Sequence, residues 1–358
     1  MSGILIIGGG IAGVSAAARL APHGPVTLLE GESQLGYHAS GRSAAMFLSE
    51  YGNATVRALN HASADYLHHA HGGVLSQRGV MLLGKRGEEE DFAREAADFG
   101  MEAITVDEAR GKVPILNPDV VTRAGFRGDV HDLDTDRFLQ NFRTEARAAG
   151  AVFVTGAKVE AITRDGGTWR VTAGGRDYEA ATLVNAAGAW ADEVAKMAGV
   201  APLGLQPFRR SMAIIPAPGG HDVSGWPFMD GLHESWYAKP DAGKLIVSPA
   251  DEDPMAPMDA WADDMVLAEG LARYEEVVTE PVTRVEHNWA GLRTFAPDRT
   301  LVIGRDVEVP EFVWLAGQGG YGFQTAAAAS RLCADLITAA PPELAASVVS
   351  ALSPARFA

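Results

Sequence analysis

Residues 4–30 of the chain read ILIIGGGIAGVSAAARLAPHGPVTLLE, and this stretch decides the fold. A short apolar run leads into three glycines and an alanine-rich helical segment, and a second apolar run then ends at an acidic residue. The order of strand, glycine turn, helix, strand and acid is typical of the βαβ unit that binds a dinucleotide. Because both strands, the helix and the acid accompany the glycines, the pattern predicts a ligand-binding unit rather than a glycine-rich turn alone.

The glycines of this motif have separate physical roles. Gly8 lets the chain turn sharply off the first strand, and Gly10 has no side chain, so a pyrophosphate can approach the backbone. Gly13 lets the helix pack closely against the sheet. The free N–H groups at the start of the helix then face the phosphates, and the Glu30 carboxylate can accept hydrogen bonds from ribose hydroxyls.

The composition excludes several classes of protein. The chain has 358 residues, enough for two domains or one large domain, and 47% of them are hydrophobic, so disorder is not expected. A net charge of −16 argues against a nucleic-acid groove. The single cysteine, Cys333, allows no intrachain disulfide and no cysteine-based metal site. Since no apolar run of about 20 residues occurs, we expect a cytoplasmic protein without a transmembrane segment.

Two segments are superficially similar to metal sites. The histidines at the end of the helix predicted over 53–71 have no acidic residue at ligand spacing except Asp65, which favours a solvated helix end. The segment 132–136 begins like a calcium loop, but Arg137 stands where such a loop needs glycine. No metal site is therefore predicted.

Two further turns of small residues follow buried strands and precede helices, at 185–190 (NAAGAW) and 317–322 (GQGGYG). In a doubly wound sheet such turns collect at the carboxyl ends of the strands, where ligands bind. Three such turns at one edge predict a long cofactor with a flat ring at its far end. From about residue 207, strand-like pieces alternate with proline- and glycine-containing turns, which predicts a mainly antiparallel sheet inserted into an α/β domain. These pieces are 211–216, 235–239, 245–248 and 282–289.

The chain resembles a known family over nearly its whole length. The N-terminal fingerprint, segment 36–45 (GYHASGRSAA), the 185–190 turn and GGYG at 319–322 are similar to the D-amino acid oxidase family of FAD flavoproteins. Within this family, four longer segments are most similar to the bacterial D-arginine dehydrogenases, namely 203–211, 234–243, 289–293 and 318–324.

The resemblance implies the fold class and the domain organisation. The fold is expected to be α/β, or α+β overall, with a Rossmann-like FAD-binding domain of the glutathione-reductase type and an inserted, mainly antiparallel substrate domain. The FAD-binding domain is expected over 1–75, 133–206 and 297–358, and the substrate-binding domain over 76–132 and 207–296.

The resemblance also implies FAD, and the residues that hold it. Covalent attachment is not expected, because Cys333 lies in the final predicted helix and Met46 stands where the D-arginine dehydrogenases have a histidine. The expected cofactor-binding residues are Gly8, Gly10, Ile11, Ala12, Gly13, Glu30, Gly31, Ser40, Arg42, Ser43, Ala44, Ala45, Val159, Ala187, Gly188, Trp190, Gly319, Gly320, Tyr321, Gly322 and Gln324.

For the substrate, the resemblance implies that Arg210 and Arg293 grip a carboxylate and that Tyr51 and Tyr237 close over the ligand. Arginine suits the binding of a carboxylate because its planar guanidinium can donate two parallel, charge-assisted hydrogen bonds to the two oxygens. Arg293 could instead pair with an internal carboxylate such as Glu286 or Asp298. Arg210 and its neighbour Arg209 point to opposite sides of a strand, so one of the two is expected on the surface.

Two departures from the D-arginine dehydrogenase pattern concern the expected substrate pocket, which also includes Gly320. Met46 replaces a histidine, and Val80 replaces the acid that would face the substrate guanidinium. Both changes remove polarity, and a buried cation without a partner costs several kcal/mol. Asp230 could restore polarity by pointing inward, but a solvated aspartate in the turn before Gly231 is the favoured interpretation.

The expected activity is FAD-dependent oxidative deamination of a D-amino acid, with a neutral or apolar side chain preferred over arginine. The partners are then a small amino acid and an electron acceptor that the sequence does not identify, whether a quinone, a dye-like acceptor or O₂. The alternatives are a related flavoprotein for a secondary amine or a 2-hydroxy acid, and a non-catalytic flavin-binding subunit.

Overall fold

The structure is a computed structural model, and it describes residues 3–358. Strands and helices alternate in the first third of the chain, and strands dominate the middle. The strands are β1 Ile4–Ile7, β2 Val26–Leu29, β3 Met46–Phe47, β4 Leu75–Gln77, β5 Val80–Lys85, β6 Glu102–Ile104, β7 Val121–Arg127, β8 His131–Leu133, β9 Val152–Val154, β10 Val159–Asp165, β11 Thr168–Ala173, β12 Arg176–Ala180, β13 Thr182–Asn185, β14 Gln206–Ile215, β15 Phe228–Gly231, β16 Tyr237–Asp241, β17 Lys244–Ser248, β18 Asp253–Pro254, β19 His287–Phe295, β20 Val302–Arg305 and β21 Phe312–Ala316.

The helices lie mostly in the N-terminal half and at the C-terminal end. They are α1 Ile11–Leu20, α2 Ala54–His69, α3 Glu89–Asp98, α4 Val106–Lys112, α5 Thr135–Ala148, α6 Ala191–Met197, α7 Asp264–Glu276, α8 Gly322–Thr338 and α9 Ala346–Leu352. Short 3₁₀ turns include Gly188–Trp190 and Leu232–Glu234. None of the helices in this described part of the chain has the length and apolar character needed to cross a bilayer.

The first sheet has the strand order β20-β21-β13-β1-β2-β9 and is parallel except for β20. Its central strand β1 is buried on both faces. Ile4 and Ile6 contact the helical layer of α1, α5 and α8, whereas Leu5 and Ile7 contact the antiparallel β10–β12 meander. A parallel strand covered on both sides needs a continuous apolar run, and this explains the sequence of β1.

The second sheet has the order β18-β14-β17-β16-β15-β5-β7-β6, with β19 also pairing with β14. Its pairs are antiparallel except for β15 with β5. One face packs with α4 and α7 around an apolar core that contains Trp236 and Tyr274. The opposite face of β5, β15, β16 and β14 lines the main cavity.

Several strands differ from the sequence-based prediction. The strand expected over 282–289 is β19, which begins at His287 and runs through Phe295 because it pairs along its length with β14. The strand expected over 235–239 is β16, which begins at Tyr237 after a 3₁₀ turn. The sequence pattern does not indicate β7, nor the short strands β3, β4, β6, β8, β15 and β18.

The expected fold class is confirmed: a Rossmann-like α/β unit carries a mainly antiparallel second sheet. The first sheet takes its strands from both ends and the middle of the chain, and the second takes β5–β7 and β14–β19. The boundaries of the two domains remain a prediction.

Candidate active site

A deep cavity lies between the carboxyl edge of the first sheet and the open face of the second sheet. Its volume is about 500 Å³. The turns after β1, β13 and β21 meet there, as expected for a parallel sheet that binds ligands beyond its strand ends. A cavity with these walls can hold an elongated ligand along the first sheet and a small ligand against the second.

The glycine turn after β1 leaves no room for side chains. Gly8 has a φ of 111°, and a Cβ there would lie 2.3 Å from the carbonyl oxygen of Ala186. A Cβ on Gly13 would lie 1.9 Å from the carbonyl oxygen of Gly8, so α1 packs directly on the turn. Gly10 is the N-cap of α1, and both Gly10 and Ile11 line the cavity, so the start of this helix faces the cavity. This cradle fits the pyrophosphate of a dinucleotide.

The acid after β2 and a serine hold the cradle in shape. The Glu30 carboxylate accepts hydrogen bonds from the N–H of Gly9 at 2.7 Å and of Glu32 at 2.8 Å. The Ser40 hydroxyl oxygen accepts one from the N–H of Ile11 at 3.0 Å. Both side chains also line the cavity, and a carboxylate with two oxygens retains lone pairs for ribose hydroxyls.

Arg42 has a different environment from the one the sequence indicates. Its guanidinium donates to the carbonyl oxygens of Ala260 and Ala290 at 2.9 Å each and to Tyr37 at 3.3 Å, and it pairs with Asp259. Most of its donors are therefore used by the protein. Arg42 lines the cavity, but its guanidinium joins the loop between β2 and β3 to β19, so few of its donors are left to bind a phosphate.

Most of the other expected cofactor residues also line this cavity. Gly13 and Tyr321 do not: Gly13 lies behind the turn, and the Tyr321 ring packs against Tyr51 and Phe295. The expected residues that do line it, beyond those above, are Ala12, Gly31, Ser43, Ala44, Ala45, Val159, Ala187, Gly188, Trp190, Gly319, Gly320, Gly322 and Gln324.

Two arginines reach the cavity from neighbouring strands. Arg210 on β14 is 2% exposed, and its guanidinium has only long contacts, 3.5 Å to Glu234 and 3.4 Å to Glu252. Arg293 on β19 makes no hydrogen bond or ion pair with any residue in 3–358. The carboxylates of Glu286 and Asp298, its alternative partners, are bound instead to Lys244 and Arg284, and to Arg356.

The backbone at Gly320 lies against the Arg293 guanidinium. A Cβ on Gly320 would lie 3.2 Å from Cζ and Nη1 of Arg293, a tight contact that would press on the guanidinium plane. Burial lowers the pKa of Arg293. The neighbouring Tyr51, Tyr237, Glu234 and Glu252 together raise it by more than burial lowers it, so the net shift of the pKa is upward. Arg293 is therefore a permanent, half-buried cation that faces the cavity and has no partner among residues 3–358.

Arg209 corrects one expectation. Arg209 and Arg210 do point to opposite sides of β14, but neither is on the surface: Arg209 is only 8% exposed. It donates to Asp251 at 3.1 Å and to Asp253 at 2.6 Å on the far side of the strand. Arg209, which does not face the cavity, therefore lies in a buried ion-pair network and not in solvent.

The two tyrosines lie beside the arginines. Burial raises the pKa of Tyr51, so its phenol stays protonated and donates to the Glu234 carboxylate at 3.1 Å. Tyr237 on β16 stacks with Phe228 and lines the same end of the cavity. Asn53 caps α2 and bonds to Thr300 at 2.8 Å, which fixes the segment that carries Tyr51.

Glu234 is a site residue that the sequence-based set did not include. It lines the cavity and contacts both Tyr51 and Arg210. It follows His233 in a turn where both residues have positive φ, 60° and 49°, which is unusual for residues with side chains. Strained backbone is concentrated at functional sites. The only signal in the sequence was its place in the segment 234–243.

Asp230 is also placed differently from the favoured interpretation. It lies on strand β15 opposite Tyr237, not in a solvated turn, and its side chain lines the cavity with Val80 and Met46. Its Oδ1 is buried and has no hydrogen-bond partner among the described residues. Burial, followed by the charges of Glu234 and Glu95, raises the pKa of Asp230 well above its usual range. The pocket is therefore not wholly apolar.

The remaining sequence expectations concern metals and the cysteine. Within residues 3–358 no group of acidic, histidine and cysteine side chains could hold a metal ion. Asp134 caps α5 by accepting from the N–H of Arg137. Cys333 is buried in the core on α8, away from the cavity, and burial raises the pKa of its thiol to about 12.

The fold, the glycine cradle and the cavity beside it are those expected of an FAD-binding oxidoreductase. The chain belongs to the FAD-dependent oxidoreductase family known as DAO, which matches residues 3–336. FAD is its cofactor. The residues present fit this group, since the cradle has no side chains where a pyrophosphate approaches and the Glu30 carboxylate lies beside it.

Proteins of known activity share this fold along their whole length. The chain is 25% identical to glycine oxidase of Bacillus licheniformis, over 94% of this chain and 93% of that protein. It superposes on L-proline dehydrogenase from P. horikoshii with a TM-score of 0.83 and 23% identity, covering 99% and 97% of the two chains. L-α-glycerophosphate oxidase from Mycoplasma pneumoniae, with FAD bound, gives 0.83 and 16%, covering 94% of each chain.

Proposed function

We propose that the protein oxidises a D-amino acid to a 2-oxo acid and ammonia. The observation that carries the proposal is the pair of cavity-facing guanidinium groups of Arg210 and Arg293, of which Arg293 has no protein partner among the described residues. A partly buried arginine without a partner is costly unless a ligand anion completes it. The D configuration is supported by the resemblance to D-arginine dehydrogenases in the segments that carry both arginines.

Substrate binding begins with the carboxylate. The α-carboxylate takes the two arginines as partners and replaces the long 3.5 Å contact of Glu234 on Arg210. Tyr51 and Tyr237 then cover the ligand from two sides and exclude water. Tight orientation of the substrate Cα is the main contribution that these residues make to the rate.

The chemistry removes two electrons from the substrate. FAD, when bound, would supply the two-electron oxidant that accepts the hydrogen on Cα as a hydride. The amine loses a proton as the Cα–N bond becomes an imine, and the dry cavity favours the neutral amine beforehand. Water then adds to the imine, so that the water oxygen becomes the carbonyl oxygen of the 2-oxo acid and nitrogen leaves as ammonia. No strong side-chain base is required.

Two other functions use the same site. A secondary amine or a 2-hydroxy acid could bind through the same carboxylate clamp, and L-proline dehydrogenase, named for a secondary amine, shares the fold. A non-catalytic flavin-binding subunit is the third possibility, but it has no use for two arginines and two tyrosines in one cavity.

An anaerobic flavin-reduction screen tests these functions. The purified holoenzyme is mixed with D- and L-amino acids, sarcosine and 2-hydroxy acids, and loss of the visible flavin absorbance is followed. We expect bleaching by D-amino acids only. Bleaching by sarcosine or a 2-hydroxy acid alone would replace the proposal with the first alternative, and no bleaching by any compound would favour the subunit. Reoxidation of the bleached enzyme by O₂ or by a quinone then identifies the class of acceptor.

A further inference from the structure

We infer that Asp230 reads the side chain of the substrate, and that the preferred substrate is a D-amino acid with a short basic side chain, such as D-ornithine or D-lysine. The inference rests on the proposed function and adds the side-chain class to it. It reverses the preference for neutral side chains, because that preference assumed a solvated Asp230.

The first support is the chemistry of the pocket around Asp230. Its neighbours on the open face of the second sheet and on the loop after α3 are apolar: Val80, Phe228, Phe99 and Met101 line the same cavity. Asp230 Oδ1 has no hydrogen-bond partner in the described chain. A lone carboxyl in an apolar pocket is costly, and a basic group on the ligand removes that cost by pairing with it.

The second support is the position of Asp230 in the sheet, because the strand order sets how far its strand lies from the strand of Arg210. From the Arg210 strand β14, the order runs through β17 and β16 to the Asp230 strand β15, and then to the Val80 strand β5. Neighbouring strands lie about 4.8 Å apart. An acid at position 230 is thus one strand nearer the carboxylate clamp than an acid at position 80 would be.

The third support is electrostatic. Asp230 lies opposite Tyr237 in the β15–β16 pair and lines the same cavity as the two arginines. Glu234, which lines the cavity, and Glu95, which does not, add negative charge near Asp230. A cation beside Asp230 is therefore favoured, and the strand order makes a side chain shorter than that of arginine the expected fit.

The test compares rates of anaerobic flavin reduction at low substrate concentration for D-ornithine, D-lysine, D-arginine and D-norleucine. D-Norleucine matches the carbon chain of D-lysine but lacks its terminal amine. We expect D-ornithine or D-lysine to exceed D-norleucine by about 100-fold, the loss typical when one partner of a buried charge pair is removed. We expect D-arginine to be about tenfold slower than the better of the two, since an ill-fitting group costs at least 1 kcal/mol or so.

Variants at Asp230 test the residue itself. Asp230→Asn should bring D-lysine and D-norleucine within about threefold of each other, because the charge pair is lost while the shape is kept. Asp230→Glu keeps the charge and reaches further, so it should move the preference toward D-ornithine. The exposed Asp222→Asn is the matched control and should leave the ranking unchanged. FAD content and thermal stability of each variant show that it is folded.

Each outcome decides between the two levels of the proposal. If neutral D-amino acids bleach the flavin as well as D-lysine does, or if Asp230→Asn keeps the preference, the role of Asp230 is wrong while the proposed function stands. If D-arginine is the fastest substrate, the distance argument from the strand order is wrong, and so is the preference for a short basic side chain. If no D-amino acid bleaches the flavin, the proposed function fails and the inference fails with it.

Discussion

At the residue scale, Arg293 is the side chain on which the proposed activity depends most. Replacing it by leucine in Arg293→Leu removes a charge-assisted, bidentate partner from a dry site, which costs about 3–5 kcal/mol. We expect kcat/KM for the best D-amino acid to fall at least 100-fold while FAD content stays normal. Steady-state kinetics and flavin absorbance measure the two effects.

The control for this variant is Arg284→Leu, at an arginine that is 67% exposed and pairs with Glu286 away from the cavity. It should leave kcat/KM within about twofold, because exposed ion pairs contribute at most about 1 kcal/mol. Activity of Arg293→Leu within tenfold of the wild type would remove Arg293 from the site.

The buried carboxyl of Asp230 predicts a pH dependence of stability. Its folded pKa is raised, so the folded state holds a proton that the unfolded state releases as pH rises, and stability falls with pH above the ordinary aspartate range. Asp230→Asn mimics the protonated form and removes this loss. We therefore expect its thermal midpoint to exceed that of the wild type by roughly a few degrees at pH 8 and by less at pH 5.

Differential scanning calorimetry of both proteins without substrate measures this difference. Asp222→Asn again serves as the control, since its exposed side chain should give no comparable gain. A wild type as stable as Asp230→Asn at pH 8 would contradict the raised pKa.

At this scale the sequence indicated the two arginines, the two tyrosines and Asp230 as candidates, but it left the orientation of Asp230 open and did not indicate Glu234. A motif can identify Arg293 because its residue type suits a carboxylate, and the structure places it in the cavity. The orientation of Asp230 depends on β15 pairing with β5, which is distant in sequence. Glu234 enters the cavity through a turn with two positive φ angles, and no residue type in that turn signals such backbone.

At the element scale, the contact between α1 and the glycine turn predicts the effect of a single methyl group. In Gly13→Ala the new Cβ would lie 1.9 Å from the carbonyl oxygen of Gly8, so α1 must move away from the cradle. Overpacking of this kind costs about 1–3 kcal/mol. We expect a lower thermal midpoint and a purified protein with much less bound FAD, measured by the ratio of flavin to protein absorbance.

Gly111→Ala is the matched control, because Gly111 is also in a helix but has open space around its Cα. Alanine there should gain up to about 1 kcal/mol of helix stability and leave FAD content unchanged. Normal FAD loading in Gly13→Ala would show that the close approach of α1 is not needed for binding.

Elements with strong local patterns are those that the sequence predicts well. The helix predicted over 53–71 is observed as α2, with both ends within two residues of the prediction. β19 is different, because its extent is set by pairing with β14 and not by its own residues. The strands β3 and β8 are too short to produce a pattern and form only because the chain brings them together.

At the scale of the whole molecule, the structure supports non-covalent attachment of FAD. Cys333 is buried in the core, and Met46, which lines the cavity, is neither a cysteine nor a histidine. Acid or heat should therefore leave a colourless protein pellet and a yellow supernatant, as measured by absorbance of both fractions. A yellow pellet would contradict this, and His38, which lines the cavity, would then be the first residue to examine.

The overall architecture follows from the sequence because several independent signals coincide. The strand, glycine and acid order of the first βαβ unit and the two later turns of small residues all lie where the cavity forms. The relative placement of the two sheets could not be derived in this way. It depends on side-chain contacts such as those of Arg42 with Ala260 and Ala290, which join segments far apart in the chain.

The hydrogen bonds of Arg42 to Ala260 and Ala290 bear on how the protein can be engineered. The acceptor Ala290 and the proposed clamp residue Arg293 both lie on β19, so Arg42 holds the loop between β2 and β3 against the strand that carries the proposed carboxylate partner. Val80 and Asp230, proposed to face the substrate side chain, lie on other strands, β5 and β15. We therefore expect a mutant library confined to β5 and β15 to vary the accepted side chain with little change in flavin loading.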